Sequence, residues 1–594
     1  MKAREHVDHD LRRRAIAAAL GNEPFDTLLA GGTVLDVSTG QLRASDVGIV
    51  GPLIASVHPR GTRTDAVETV DCTGQTITPG LIDAHLHFET SMLTPSGFSE
   101  VLLPHGTTTV ACDPHELANV SGLAGIRYAL DAVQGQPLRY IVQASSCVPA
   151  VPGVELSGAE LTAADLVEVL SWEGVSGVGE LMDYQGILEG SERMTPLMEA
   201  VLDSGHTLNG HAAGLSGASL QAYLAAGVTS DHTMFSVEEF DDRLFSGMTV
   251  ELVGLFVGGA LEAIAQRLEE LPVFPTNVVL ATDDLLAVQY LEDGGVDTVV
   301  RLLIGYGLSP AKAFRAATLN SALRLRREDL GLVAPGRLAD LLLLDDLETV
   351  AIDRVMASGR FVAEQGRMLV TPPRETVEPD RASVKLGAFT PADFSLVLPT
   401  EARTARVATI TGLMFSAWSE AEVELREGVA VVPDGHLLMA IVHRHGRRGG
   451  HEAAPTFALI AGRGEWSGAM ATTVSHDSHN LVVFGTDAAE MALAANTVVG
   501  HDGGYAVVKG GEVSAVIPLP LAGLMTGQDV PTTIALQKAL QAAAAEIGMV
   551  ADLFDPVFEF TLASLVAIPG PHLTDLGIVD GTTGEHFGPR PALL

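Results

Sequence analysis

Between Asp26 and Val57 short apolar runs alternate with Gly31-Gly32, Ser38-Thr39-Gly40 and Gly51-Pro52, a spacing that predicts several short strands. From Gly80 the pattern changes to strand, loop and helix in repeated succession, as in a parallel sheet. Eight strand candidates follow: Leu81 to Phe88, Thr107 to Cys112, Arg139 to Ala144, Gly174 to Met182, Thr207 to His211, Val228 to His232, Thr249 to Val253 and Asn277 to Thr282. Helix-like stretches between them include Ala159 to Ser171, Thr195 to Ser204, Ala218 to Ala226 and Leu261 to Leu271. Eight such units over roughly 250 residues predict a (β/α)8 barrel.

Beyond the barrel a helix is expected from Ala311 to Leu325, then a strand from Leu341 to Leu344. Val355 to Val362 repeats the strand-and-glycine character of the first segment, so the two are expected to pair into one sandwich. From Pro391 onward, short strands, glycines and one Ala-rich helix, Thr532 to Ile547, predict a further α+β domain. Met1 to Leu20 is charged, lacks the apolar core of a signal peptide, and reads as a surface helix. The expected division is 1–79 (helix and first part of the sandwich), 80–330 (barrel), 331–374 (second part of the sandwich), 375–390 (linker) and 391–594 (α+β domain).

Composition narrows the partners. The chain has 594 residues, 47% of them apolar, too many for one ordinary core. A formal charge of −38 and a pI near 4.7 repel nucleic acid and anionic membranes at long range, while a small neutral substrate is unaffected. Cys72, Cys112 and Cys147 are too few for a disulfide framework or a Cys-rich zinc module, which fits a reducing cytoplasm. No apolar stretch reaches the roughly 18 uncharged residues that a membrane span needs, so a soluble cytoplasmic protein is expected.

The chemistry gathers at the strand ends, where barrel enzymes build their sites. Strand one ends in His85 and His87, whose side chains, two apart, share one face. Taken alone, this His-x-His is equally a half-buried strand with two satisfied histidines. Strand four ends in Gly177-Val178-Gly179-Glu180, strand five in Asn209-Gly210-His211, strand six in Ser230-Asp231-His232 and strand eight in Thr282-Asp283-Asp284. The joint pattern, a possible ligand at each ending, is the signal.

This constellation resembles the amidohydrolase superfamily. Within it, Asp83-Ala-His-Leu-His-Phe-Glu-Thr-Ser-Met92, Thr108-Thr-Val-Ala-Cys-Asp-Pro-His-Glu116, Gly210-His-Ala-Ala-Gly-Leu-Ser-Gly217 and Ser475-His-Asp-Ser-His-Asn480 are similar to the bacterial adenine deaminase family over nearly the whole chain. The related hydantoinases and dihydroorotases bridge two metals with a carboxylated lysine. Here no lysine occurs between Ala3 and Ala311, so Glu180 is the natural bridging carboxylate. The resemblance implies two divalent ions (manganese, iron or zinc) on His85, His87, Glu180, His211, His232 and Asp283. It implies hydrolytic deamination of a nucleobase, adenine to hypoxanthine and ammonia, by activated water attacking the amino-bearing carbon. The alternative is an amidohydrolase acting on another aminopurine, a cyclic amide or an N-acyl compound.

Asp283 is expected to move the proton, His232 to steady the tetrahedral intermediate, and Glu89 to protonate a ring nitrogen or else to stand in solvent. Glu89, Ser91, His115, Glu116 and Asp284 are the candidate substrate contacts. A homo-oligomer, a dimer, is implied. The chain departs from the family pattern at Leu285-Leu286-Ala287 (for Arg-His-Pro), at Thr233 (for Glu) and at Val253-Gly254-Leu255 (for Arg-Glu-Gly-Ser), positions expected beside the substrate pocket. His443-Arg444-His445-Gly446-Arg447-Arg448 reads as a solvated turn or subunit contact. His476, Asp477 and His479, with no strand-end partners in view, are left between an interface, a pocket wall and a third metal site.

Overall fold

The structure is a computed structural model that describes residues 4–254, 258–447, 454–550, 553 and 555–594. Arg448 and Leu255 lie outside the described residues. The barrel strands are Leu81–Leu86, Thr107–Cys112, Arg139–Ala144, Val175–Val178, Thr207–Leu208, Ser230–Asp231, Thr249–Val253 and Val278–Ala281. The first five pair in one parallel sheet and the last three in another. Two seams close the ring. Thr229 N–H donates to Leu208 O at 2.9 Å, and Asp283 N–H donates to His85 O at 3.1 Å while Asp283 O accepts from His87 N–H at 3.2 Å. The result is a (β/α)8 barrel whose second seam consists of residues from the predicted site.

Helices form between the strands for local reasons. Thr162 and Asp165 make a reciprocal capping box at the start of Ala163–Ser171, which buries Leu166, Val169 and Leu170 at helical spacing. Ala260–Glu270 buries Leu261, Ile264, Ala265 and Leu268, the i, i+3, i+4, i+7 stripe of a helix packed on a sheet. The N-terminal helix is His9–Ala19, capped by the Asp8 carboxylate. The helix expected over Ala311 to Leu325 is three pieces, Pro310–Arg315, a π turn Ala316–Asn320, and Ser321–Arg324. The wider turn falls where Asn320 donates from its side-chain amide to Pro275 O and Val278 O, both at 2.9 Å, at the start of strand eight.

Strands from the two ends of the barrel segment share one ten-stranded sheet, in which Leu341 opposes Pro79 and Leu344 opposes Thr76. Gln41–Val50 joins its two layers, pairing Ala44 with Thr33 at one end and Ile49 with Thr27 at the other. Leu29, Val47, Ile77, Leu341 and Leu343 pack together in its core. Residues 375–390 carry no helix or strand but are tied down on both sides: Glu375 accepts from Ser96, and Asp380 O accepts from Ala522 N–H at 2.8 Å.

The last segment forms a nine-stranded sheet with the helices Ala488–Gly500 and Val530–Glu546. Its apolar side merges with the barrel's: Ile534, Phe558 and Leu565 belong to the same buried cluster as Phe88 and Leu286. Gln537, 1% exposed, stitches the two together. Its amide donates to Ser91 O at 3.0 Å and its carbonyl accepts from Val288 N–H at 2.8 Å, so one helix side chain fixes the loops after strands one and eight. Among the described residues no helix is long and apolar enough to cross a membrane.

Candidate metal centre

All six residues of Leu81–Leu86 are buried. Asp83 anchors this strand to strand eight, accepting from Thr282 Oγ1 at 2.6 Å and Thr282 N–H at 3.2 Å. His85 and His87 stand nearly perpendicular with ring centres 4.9 Å apart. His87 Nδ1 meets Asp113 O at 2.8 Å, which assigns the proton to Nδ1 and leaves the Nε2 lone pair free. The two Nε2 atoms converge on Glu180 Oε1, at 3.2 Å from His85 and 2.9 Å from His87. Asp283 Oδ1 lies 3.5 and 3.4 Å from the same two nitrogens.

The other oxygen of Glu180 serves a second group. Its Oε2 is 2.9 Å from His211 Nδ1 and 3.5 Å from His232 Nε2. Strands four, five and six end before these residues, so Glu180, His211 and His232 sit in loops and not on strands as expected. Tight packing sets those loops. Asp113 leans on Gly179, where any side chain would collide with its carboxylate, and accepts from Glu180 N–H at 3.1 Å. A Cβ at Gly210 would lie 2.5 Å from Ser230 O. Asp231, fully buried, accepts from Ala212 N–H at 2.8 Å and from Arg243 Nε at 2.5 Å, and thereby carries the His211 loop.

Removing Arg243 leaves the Asp231 carboxylate buried without its cation, a loss typically worth about 3–5 kcal/mol. Arg243→Met is therefore expected to lower the melting temperature by several degrees, measured by calorimetry; an unchanged midpoint would mean that the pair contributes no net stability.

The donors fit divalent ions. His85, His87, Glu180 and Asp283 form one set within coordinating reach, buried except for the partly exposed Asp283, and Glu180, His211 and His232 form another, buried throughout. His85 Nε2, although enclosed, has no hydrogen-bond partner, and buried polar atoms without partners are rare. The field is suited to cations. Burial pushes the Glu180 carboxyl up, but His232, His211, His85 and His87 outweigh it and hold it well below the usual range. Burial likewise opposes a charge on His85, yet Asp283 and Glu180 push it up to about 10.

A pocket opens directly over this centre. Its barrel side is lined by His87, Glu180, His211, His232, Asp283 and Asp284 together with Met182 and Thr233, and its far side by Met414, Phe558, Leu562, Leu565 and Ile568. The distant segment thus roofs the barrel mouth.

The structure brings His115 to this pocket, with its ring stacked 4.0 Å from His87 and its Nδ1 3.6 Å from Glu180 Oε1. Asp284 lines it too, held by the Thr90 hydroxyl. Glu89 and Glu116 stand behind the lining. Glu89 is buried, not in solvent; burial and then the charge of Glu116 push its carboxyl up to about 8, and its Oε2 has no partner. Ser91 is not brought to the pocket: its hydroxyl donates to Phe88 O at 2.6 Å and accepts from Leu93 N–H at 3.1 Å, which closes the turn after His87. Of the departures from the family pattern, Thr233 touches the pocket, whereas Leu285, Leu286, Val253 and Gly254 do not. Leu285 and Leu286 are core residues.

Two expectations are overturned. His443, Arg444 and His445 are buried, not a solvated turn. Arg444 donates to His479 O, to Ser383 Oγ at 2.7 Å and to Ala522 O at 3.0 Å, because a guanidinium without water must satisfy its donors on carbonyls and hydroxyls. His476 and His479 do have a partner in the barrel, Glu116 in the helix His115–Ser121 after strand two: one oxygen lies 2.8 Å from His476 Nδ1 and the other pairs with His479 Nε2. Sequence reasoning also passed over Glu251, which accepts twice from Arg324, at 2.7 and 3.1 Å, and lies 4.0 Å from His232 Nδ1. Its position at the core of strand seven, where a carboxylate is out of place, was the available signal.

Eight parallel strands that carry this donor set at one end define a barrel hydrolase of the amidohydrolase class, and residues 76–362 match the amidohydrolase family model. Such proteins generally use divalent metal ions. Residues 414–585 match the model of the adenine deaminase C-terminal domain. The chain belongs to the adenine deaminase family. It is 46% identical over 581 residues to adenine deaminase 2 of Rhizobium etli, covering 97% of this chain and 96% of that one. It is 45% identical over 592 residues to adenine deaminase of Serratia proteamaculans, covering 97% of each. The Halalkalibacterium halodurans adenine deaminase is 34% identical over 579 residues, again covering 97% of each.

Proposed function

We propose that this chain is a metal-dependent aminohydrolase that converts adenine and water to hypoxanthine and ammonia. The observation that carries the reading is Glu180, whose two oxygens face two separate histidine sets beneath a roofed pocket. His85, His87 and Asp283 with Glu180 would hold one divalent ion, and His211 and His232 with Glu180 a second; the ligand chemistry suits manganese, iron or zinc. When bound, such ions lower the pKa of water to near neutrality. The water oxygen bonds to the ring carbon that bears the amino group, and the carbon–nitrogen bond then breaks.

Asp283 takes the proton from the water and passes it to the departing amine, so that the nitrogen leaves as ammonia. His232, stacked 4.4 Å from His85 on the pocket wall, steadies the oxygen of the tetrahedral intermediate. Glu89, behind the lining, is proposed as the source of the proton for a ring nitrogen, delivered through a group that lines the pocket, and His115, Glu116 and Asp284 as groups that shape the substrate side. The reading extends to a cytoplasmic homodimer, supported by the family resemblance.

The test is direct. Purified, metal-loaded protein is expected to release one ammonia per hypoxanthine formed from adenine, followed by enzymatic ammonia assay and ultraviolet difference spectra. Adenosine is expected to be a poor substrate, since its ribose adds bulk and several further polar groups that need partners beneath a largely apolar roof. Equal turnover of adenosine, or none of adenine with metal fully loaded, would sink the proposal.

A further inference from the structure

Among the described residues, only two polar side chains in the pocket come from outside the barrel, His476 and Asp477. Every other roof residue there is apolar: Met414, Phe558, Leu562, Leu565 and Ile568. Both polar residues are 2% exposed, and each has one atom without any partner, His476 Nε2 and Asp477 Oδ2. Leaving two such atoms bare on an enclosed wall costs free energy that a ligand can return.

Their setting is built, not incidental. Glu116 Oε1 holds His476 Nδ1 at 2.8 Å, and Asp284 Oδ2 lies 4.0 Å from the same nitrogen. Burial pushes the imidazole towards neutrality, but Glu116 and then Asp284 outweigh it, raising it to about 9 and leaving a proton on Nε2 as well. The loop itself is braced from behind. His479 pairs with the other oxygen of Glu116, Arg444 donates to His479 O, and Asn480 accepts from Arg444 N–H at 3.2 Å. Glu116 and Arg444 are thus positioning residues for a donor at His476 beside an acceptor at Asp477.

This donor–acceptor pair matches one edge of a free purine. With the amino-bearing carbon over Glu180 and Asp283, the edge farthest from it across the ring system carries an unprotonated nitrogen, N3, next to a ring N–H, N9–H. We infer that His476 Nε2–H donates to N3 and Asp477 Oδ2 accepts from N9–H, so that the roof segment selects the free base over N9-substituted purines. The inference rests on the adenine reading above and deepens it by naming the specificity-determining residues. A 9-substituted purine has no hydrogen for Asp477 and leaves its carboxylate buried and unpaired, the arrangement by which polar sites reject near-isosteres most strongly.

Because this edge is unchanged when the amino group is replaced by oxygen, the two contacts act on substrate and transition state alike. Interactions of that kind alter KM and leave kcat nearly unchanged. Metal-loaded His476→Gln, Asp477→Asn and Asp477→Ala chains are to be compared with the parent for adenine and 9-methyladenine turnover, with calorimetric binding of hypoxanthine and 9-methylhypoxanthine as a second readout.

For adenine, KM is expected to rise about 10- to 100-fold in each variant with kcat within about threefold, and hypoxanthine binding to weaken in parallel. In Asp477→Ala the preference for adenine over 9-methyladenine is expected to shrink at least about tenfold. An unchanged preference and an unchanged hypoxanthine affinity would overturn the inference, as would a fall in kcat with KM unaltered. Asp477→Asn, nearly isosteric, keeps the test valid if the alanine variant melts early. Failure of the parent to deaminate adenine sinks the reading of function instead; the binding arm still decides whether these two residues touch the purine edge.

Discussion

Asp283→Asn is expected to lose at least about a hundredfold in kcat while retaining bound metal. General acid and base catalysis by one positioned group is typically worth about 10² to 10⁴ in rate, and Asp283 is assigned both halves of the transfer. The variant separates chemistry from folding unusually well. Asp283 has φ +59°, a conformation that Asn tolerates better than other side chains, and its backbone N–H and C=O form the closing seam of the barrel with His85 and His87. The side-chain change keeps that seam, the size, and an oxygen for the ion near His85 and His87, but removes the basic site. Steady-state kinetics with elemental analysis of the same sample provide the check. Asp284→Asn is expected to lose less, because the Asp284 carboxylate is held by the Thr90 hydroxyl at the pocket edge. If Asp284→Asn is the inactive variant and Asp283→Asn works, the two roles are exchanged.

The larger effect on metal is expected at Glu180. Active parent protein should approach about two equivalents of metal per chain, and Glu180→Gln less than about one, with turnover down more than about a thousandfold, since ionised water near pH 7 depends on the bound ions. The substitution removes the charge that faces His85 and His87 on one oxygen and His211 and His232 on the other. His85 stays oriented by strand one and His87 by the Asp113 carbonyl, so a protein that still folds but no longer binds two ions is the expected product. Fully active parent holding one equivalent, or a fully loaded Glu180→Gln, would show that the carboxylate is not shared between ions.

The fold class was legible because its signals are local. Alternation and helical stripes such as Leu261, Ile264, Ala265 and Leu268 repeat within each unit, and a parallel barrel needs only that repetition to be recognised. The donors were legible for a similar reason: a histidine or carboxylate just after an apolar strand is conspicuous, and a barrel places all such endings at one mouth. The missing lysine, a fact of the sequence alone, left Glu180 as the bridging candidate.

Only the tertiary structure decided what faces those donors. The strands proved shorter than their apolar runs, so His211, after Gly210, and His232 are loop residues, and the His211 loop is carried by Asp231 and Arg243. Ser91 has the composition of a substrate contact, but its hydroxyl is satisfied by its own turn. Arg444 looked like surface charge in an acidic chain, yet it is wholly enclosed by carbonyl and hydroxyl acceptors from three remote segments. His479 meets Glu116 across 363 positions, and Gln537 reaches Ser91 across 446. Periodicity carries no information at such separations, because a side chain's partner there is set by how whole elements pack. The sequence by itself determined a barrel with candidate metal donors at its mouth; packing of the last segment on that mouth decided which polar atoms there are left without a partner.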